Sequence, residues 1–358
     1  MSRSFAIWGC RDYHNDQDYQ DTHVNFLKEL HINFWAINSK KFYFLDFGLS
    51  FKAPKDEQVT SKGAICIYLP FKKNKEEFID LSENLDRNKD LVTAIFNEYL
   101  INSGPIESKF LKIELTNKEM LVMNTGLEFV DGTLDKRVTI SDRNDGTLVA
   151  FNLKNCLSSE KDKEHYIRFR LKLTEKEIRE IVNIFQPNDS FLKSNLERTD
   201  IIDFRINEQR NLPAGISSNL AGAACTPEKY HFFVIRDIVD EPSLTGKDFQ
   251  GSRILESTTW KKYFAENISF GKQDPMIYHW KVKAKEDTRL TDFSVVVKFK
   301  NTKAKITKVF SYLFYILSIP FMMKFIPTNL AENIYLGLGV LSLVILYIAI
   351  HLFHYRKS

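Results

Sequence analysis

Residues 164–173 read "EHYIRFRLKL". Apolar and polar side chains alternate through the whole stretch. Ile167, Phe169, Leu171 and Leu173 fall on one side, and Tyr166, Arg168, Arg170 and Lys172 on the other. This period of two is the pattern of a strand with one buried and one solvated face. The chain runs on into "TEKEIREIVNIFQ" (residues 174–186). Thr174 with Glu177 forms a capping box, and Ile178, Ile181, Val182 and Phe185 make an apolar stripe, so a helix is expected, with Pro187 as its stop.

Outward from there the strand signals continue. Residues 41–51, "KFYFLDFGLSF", and 63–71, "GAICIYLPF", are apolar, aromatic and β-branched and read as buried central strands. Residues 74–100 carry Leu91, Ile95, Phe96, Tyr99 and Leu100 at helical spacing, and "NSGP" at 102–105 reads as a break. Asp-Gly-Thr-Leu occurs at 131–134 and again at 145–148, which suits two hairpin turns in a meander. In residues 200–213, Ile202, Phe204 and Ile206 read as inward, and Asp203 and Arg205 as outward. "PAGISSNLAGAAC" (213–225) matches no phosphate-loop spacing and reads as a close-packed or flexible loop before a buried strand at 229–240. Residues 276–284 and 292–300 read as a hairpin.

Chemistry is sparse at this level. No nucleophile elbow, zincin motif, EF-hand loop or dinucleotide fingerprint is present. Arg168, Arg170 and Arg205, with Arg210 nearby, suggest a site for a small anionic ligand through bidentate guanidinium contacts, although Glu164, Asp203 and Glu208 are available as partners. His14, His23 and His31 lie near Cys10, Asp12 and Asp16, at spacings that match no standard zinc pattern. The sequence therefore assigns no catalytic residue, metal or cofactor. The cysteines, Cys10, Cys66, Cys156 and Cys225, are widely spaced and read as isolated thiols of a reducing compartment.

Hydrophobic residues are 44% of the chain and charged residues 27%, ordinary values for a folded protein. The formal charge of +4 is unevenly spread. From Phe293 onward stand Lys298, Lys300, Lys303, Lys305, Lys308, Lys324, Arg356 and Lys357, opposed by Glu332 alone. The preceding part is mildly acidic, which disfavours a nucleic-acid partner. The same tail holds two oily runs. Residues 309–323 are uncharged, with Lys324 able to snorkel, and residues 334–353 are free of formal charge. About 20 apolar residues cross a bilayer. Five lysines before the first run and two basic residues after the second place both termini in the cytoplasm. Gly337, Gly339 and Ser342 offer small surfaces for helix packing.

The expected fold is α+β: a mainly antiparallel, strand-rich cytoplasmic region with a few helices, then a C-terminal two-helix transmembrane hairpin. The expected organisation is an N-terminal α+β domain at 1–104, a strand-rich second domain at 105–300 and a basic juxtamembrane segment at 301–308. The two spans follow at 306–327 and 334–353. This layout resembles that of some prokaryotic antiviral effectors, in which a sensing domain triggers membrane damage. The resemblance is of architecture alone, and it implies a bacterial inner-membrane effector partnered by the lipid bilayer and by its own copies or another protein. A membrane-tethered hydrolase or nuclease, and a scaffold recruiting a protein to the membrane, are the rival readings.

Overall fold

The computed structural model describes residues 3–13, 24–37, 42–117, 119–129, 136–185, 197–243, 248–264, 270, 274–284 and 290–302. Strands dominate. They are β1 (Ala6–Cys10), β2 (Leu27–Ile37), β3 (Phe42–Phe51), β4 (Ala64–Leu69), β5 (Phe78–Asp80) and β6 (Leu100–Glu107). Next come β7 (Phe110–Leu115), β8 (Leu121–Asn124), β9 (Val138–Arg143), β10 (Gly146–Asn152), β11 (Glu164–Lys172) and β12 (Val182–Phe185). The last six are β13 (Glu197–Ile206), β14 (Lys229–Arg236), β15 (Glu241–Pro242), β16 (Phe249–Ile254), β17 (Met276–Lys283) and β18 (Phe293–Thr302). Among the described residues helices are few and short, so the class is α+β.

A ten-stranded sheet forms the centre, in the order β16-β17-β14-β2-β3-β11-β8-β7-β6, with β5 also on β11. It is mixed: β14 runs parallel to β2, and β11 parallel to β8. Two four-stranded sheets, β1-β4-β10-β9 and β12-β13-β18-β15, accompany it. One face of the large sheet is apolar. Leu30, Ile32 and Phe34 of β2, Phe47 of β3, Phe169 of β11 and Phe232 of β14 join one core with Ile67, Val149, Phe204 and Val297 of the smaller sheets. Each such side chain removed from water contributes about 1.5–3 kcal/mol. The helix Ala214–Ala221 covers the outside of the β1 sheet through Ile216 and Leu220. Met1–Gln186 with Thr199–Asn301 make one compact unit, to which these cores belong.

The opposite face of the large sheet differs from the expectation for β11. Its polar side is covered, not solvated: Arg168 is 1% and Arg170 3% exposed. The cover comes from the helices Ser82–Arg87 and Lys89–Phe96 and from residues 257–264, whose Leu85, Leu91, Phe96, Trp260, Tyr263 and Phe264 share a cluster with Trp35, Phe44 and Tyr166.

Other expectations are corrected or met by element. The helical reading of 74–100 is interrupted by β5, which hydrogen-bonds to β11. The Thr174–Glu177 capping box is real, with Glu177 N–H donating to Thr174 Oγ1 at 3.4 Å, but it opens only one turn, Glu175–Ile178. Val182 and Ile184 then pair with Ile202 and Asp200 as β12, since β-branched residues fit a ladder as well as a stripe. Residues 214–221 are helical where a loop was expected. β17 and β18 are not a hairpin, because they belong to different sheets. β6 runs through residues 102–105, and the central sheet takes strands from both sides of them. The turn before the second Asp-Gly-Thr-Leu joins β9 to β10, but Asn144, at φ 54°, takes the left-handed position. Residues 131–134 lie outside the described residues.

No helix among the described residues is long and apolar enough to cross a membrane. Residues 303–358, which hold both oily runs, lie outside the described residues.

Candidate functional site

Strand register brings the site together. β14 lies beside β2 with Lys229 opposite Glu29 and His231 opposite His31. β17 lies on its other side with Lys281 opposite His231 and His279 opposite Phe233. Because strand side chains alternate, Leu30, Ile32 and Phe232 enter the apolar core while Glu29, His31, His231 and His279 share the covered polar face. Three imidazoles and a carboxylate thus meet on three neighbouring strands.

The contacts are close. His31 and His231 rings meet edge to face at 4.8 Å, and His231 Nδ1 is 3.1 Å from His279 Nε2. His279 stacks on Phe233 at 4.3 Å. His31 Nε2 lies 3.4 Å from a Glu29 carboxylate oxygen, and Lys229 pairs with the other oxygen. His231 Nε2 is buried and has no hydrogen-bond partner. Ligand atoms of Glu29, His31 and His231 all fall within 4.8 Å of one another, the one such trio among the described residues.

Behind the trio lies a buried ionic network. The Tyr166 hydroxyl is 3.3 Å from His31 Nδ1 and accepts from Arg168 Nη1 at 2.8 Å. Arg168 Nε donates to the Tyr263 hydroxyl at 2.6 Å, and its Nη2 is buried without a partner. Arg170 binds Asp46 through two contacts of 2.6 and 2.9 Å, and Trp35 Nε1 donates to the same carboxylate at 2.8 Å. The Arg170 guanidinium sits 4.1 Å from the centre of the Phe264 ring and 4.6 Å from that of Tyr263. Gly48, opposite Arg168, makes room: a Cβ there would lie 2.1 Å from the Tyr166 hydroxyl.

Two cavities open on the trio and share Glu29, His31 and Phe96. The larger, about 500 Å³, is also lined by His231, His279, Arg253 and Lys281. The smaller, about 190 Å³, reaches Ser50, Lys52, Glu119 and Glu164. Burial pushes His231 down to about 3, with the neighbouring His31 adding to the effect. Burial likewise pushes His279 down to about 4, helped by Lys281. The hydrogen bond from His31 holds Glu29 well below the usual carboxylate range, and Lys229 reinforces it. Near neutral pH the cleft therefore presents an ionised carboxylate beside two uncharged imidazoles.

The arginines singled out in the sequence are not gathered into one site. Arg168 and Arg170 belong to the buried network of the central sheet. Arg205, on β13, holds both oxygens of Asp203 at 2.7 Å and also binds Glu208 at 2.7 Å. Arg210 pairs with Glu208 as well. Lys298 and Lys300 lie on β18, while Lys303, Lys305, Lys308, Lys324, Arg356, Lys357, Gly337, Gly339 and Ser342 lie outside the described residues. So do His14, Asp16 and His23. Cys10 and Asp12 have other neighbours: Cys10 Sγ is 3.9 Å from Cys66 Sγ, and Asp12 pairs with Lys62. Sequence reasoning singled out His31 and missed Glu29, His231 and His279. The available signal was a histidine at a polar position of each of three strands, next to charged residues such as Glu29, Lys229 and Lys281 on the same faces.

A scan against protein-family models and a search of curated proteins both find no match to this sequence.

Proposed function

We propose that this chain is a membrane-anchored sensor and effector of the bacterial inner membrane. Its cytoplasmic domain takes a small ligand in the cleft at Glu29, His31, His231 and His279. Its two oily runs assemble in the bilayer, or perturb it, in response. Antiviral defence is the setting that the layout's resemblance suggests.

The observation that carries this reading is the cleft itself: a cavity of about 500 Å³ on the covered face of the central sheet, lined by converging titratable groups. The sequence supplies the other half, since residues 334–353 hold no formal charge and match the length of a span. β14 offers a link between the two. It carries His231 on one face and Arg236 on the other. Arg236 Nη2 lies 2.7 Å from both Asp200 and Asp240, and Asp240 accepts a hydrogen bond from Asn301 near the end of β18. The lysines at 303, 305 and 308 follow directly. A shift of β14 on ligand binding is thereby passed to the strand that leads into the membrane segment.

The test is induced expression of the full chain in a bacterial host with a potential-sensitive dye. The reading expects the potential to fall, and a Val344→Arg, Leu346→Arg variant to leave it intact. Arginine near a span's centre costs about 3 kcal/mol on insertion scales. A potential that stays unchanged under every trigger, with the chain recovered in the detergent-free supernatant, would overturn it. The Glu-His-His grouping beside an open cavity also suits a membrane-tethered hydrolase. Turnover of a phosphoester or ester probe that is lost with His231→Ala would favour that alternative.

A further inference from the structure

We propose that Glu29, His31 and His231 form a binding site for one divalent transition-metal ion, with zinc as the best chemical fit. This rests on the reading of the cleft as the ligand site and names the ligand class. The ligands stand on two adjacent, hydrogen-bonded strands, so the backbone holds them at fixed register. Two imidazole nitrogens and one carboxylate oxygen suit zinc, cobalt, nickel or ferrous iron. Calcium and magnesium prefer all-oxygen shells.

The hydrogen bonding prepares the His231 ring, while ligation by His31 exchanges its Nε2–H contact with Glu29 for a proton on Nδ1, which faces the Tyr166 hydroxyl. A metal-binding histidine offers one nitrogen's lone pair while the other nitrogen donates to a fixed acceptor. His231 Nδ1 lies 3.1 Å from His279 Nε2, and the tautomer with its proton on Nδ1 donates there and keeps the Nε2 lone pair for the ion. That Nε2 is the buried nitrogen without a partner. An ion bound there gives it one. His31 Nδ1 faces the Tyr166 hydroxyl at 3.3 Å, and its Nε2 turns toward Glu29 at 3.4 Å. Arg168 fixes Tyr166 in turn. His279, Tyr166 and Arg168 are therefore positioning residues.

An ion about 2.1 Å from each ligand in tetrahedral geometry needs ligand atoms about 3.4 Å apart. The three ligand atoms now lie within 4.8 Å of one another, and small side-chain rotations bring them to that spacing. Lys229, which pairs with Glu29, is partly exposed. Three protein ligands leave a coordination position open, and the larger cavity lies beside it. Arg253 and Lys281 line that cavity, so the open position suits water or a small anion.

The test titrates zinc into full-length chain, purified in detergent and stripped with a chelator, against a chromophoric competitor. Cobalt replaces zinc in a parallel run to report coordination through its visible bands. The expected result is one ion per chain at micromolar affinity or tighter, with no competition from magnesium. His31→Ala and His231→Ala each weaken binding at least ~100-fold, and His279→Phe, which keeps the ring stack but removes the acceptor, weakens it about 10- to 100-fold. Glu29→Gln, on the cleft rim, keeps the shape and serves if a histidine variant unfolds; it too weakens binding at least ~10-fold. Zinc binding that needs millimolar ion, or that survives in folded His231→Ala and Glu29→Gln chains, overturns the proposal. A fall in membrane potential from chain that binds no zinc also overturns it and leaves the sensor reading standing. Tight zinc binding without any membrane effect supports the site and removes the sensor reading.

Discussion

The covered face of the central sheet turns on Asp46, and Asp46→Asn is the substitution that tests it. Asp46 is fully buried and is the carboxylate that Arg170 binds through two contacts. Its loss leaves Arg170 and Arg168, both buried, facing phenol oxygens and aromatic rings. Breaking a buried pair by removing one partner costs about 3–5 kcal/mol, because a charge is left uncompensated. Asparagine keeps one acceptor oxygen for Arg170 or for Trp35, so the expected loss is about 3 kcal/mol; Asp46→Ala reaches about 5. A domain holds about 5–15 kcal/mol in total, so either change lowers the unfolding midpoint visibly. The assay is urea unfolding of the full chain in mild detergent, followed by tryptophan emission. Trp35 reports locally, since it donates to Asp46 and lies 5.7 Å from the Trp260 ring. The double variant Asp46→Leu, Arg170→Met replaces the pair with apolar groups and is expected to recover most of the loss. A loss below about 1 kcal/mol for Asp46→Asn, or a double variant worse than the sum of its singles, would refute the reasoning.

Three further outcomes follow from the same geometry. His165 is buried, its Nε2 accepts from Ser158 N–H at 3.0 Å and its Nδ1 sits 3.0 Å from the Lys163 carbonyl, a pairing that suits the neutral ring. Burial pushes it down to about 4 from its ordinary 6.5. The unfolded chain therefore binds the extra proton first, and stability is full above pH 6.5 and falls by up to about 3 kcal/mol as pH drops toward 4. Urea midpoints across that window should show a shallower slope in His165→Leu, and an unchanged slope would count against this assignment. Gly48→Ala forces a Cβ against the Tyr166 hydroxyl; an overpacking loss of about 1–3 kcal/mol and weaker zinc binding are expected in titrations of the folded variant. Tyr263→Phe strips the acceptor of Arg168 Nε and should cost about 1–3 kcal/mol in the same urea assay, while a neutral result would mean that water replaces the phenol.

Much of the fold was legible in the sequence because strands write their faces at a period of two. β3, β4, β11, β13 and β14 fall where alternation or apolar runs put them. Alternation says which side chains share a face; it does not say whether that face is covered. Arg168 and Arg170 were paired correctly on one side of β11, but their cover comes from Tyr263 and Phe264, in a short helical stretch with no strong pattern of its own. The stretch 178–185 shows the other limit. Ile178, Ile181, Val182 and Phe185 satisfy a helical stripe, yet partners on β13 claimed Val182 onward for a strand. The trio stayed hidden for a third reason. His31 and His231 meet only because β14 pairs in parallel with a strand far away in sequence, and no local signal announces such pairing.

Dye release from anionic phospholipid vesicles carrying the reconstituted full chain tests the central claim, that occupancy of the histidine cleft drives the membrane segment. The account predicts release on adding micromolar zinc, none with magnesium, and loss of the response in His231→Ala. It is contradicted if the chain fails to float with the vesicles, or if release is the same with chelator as with zinc.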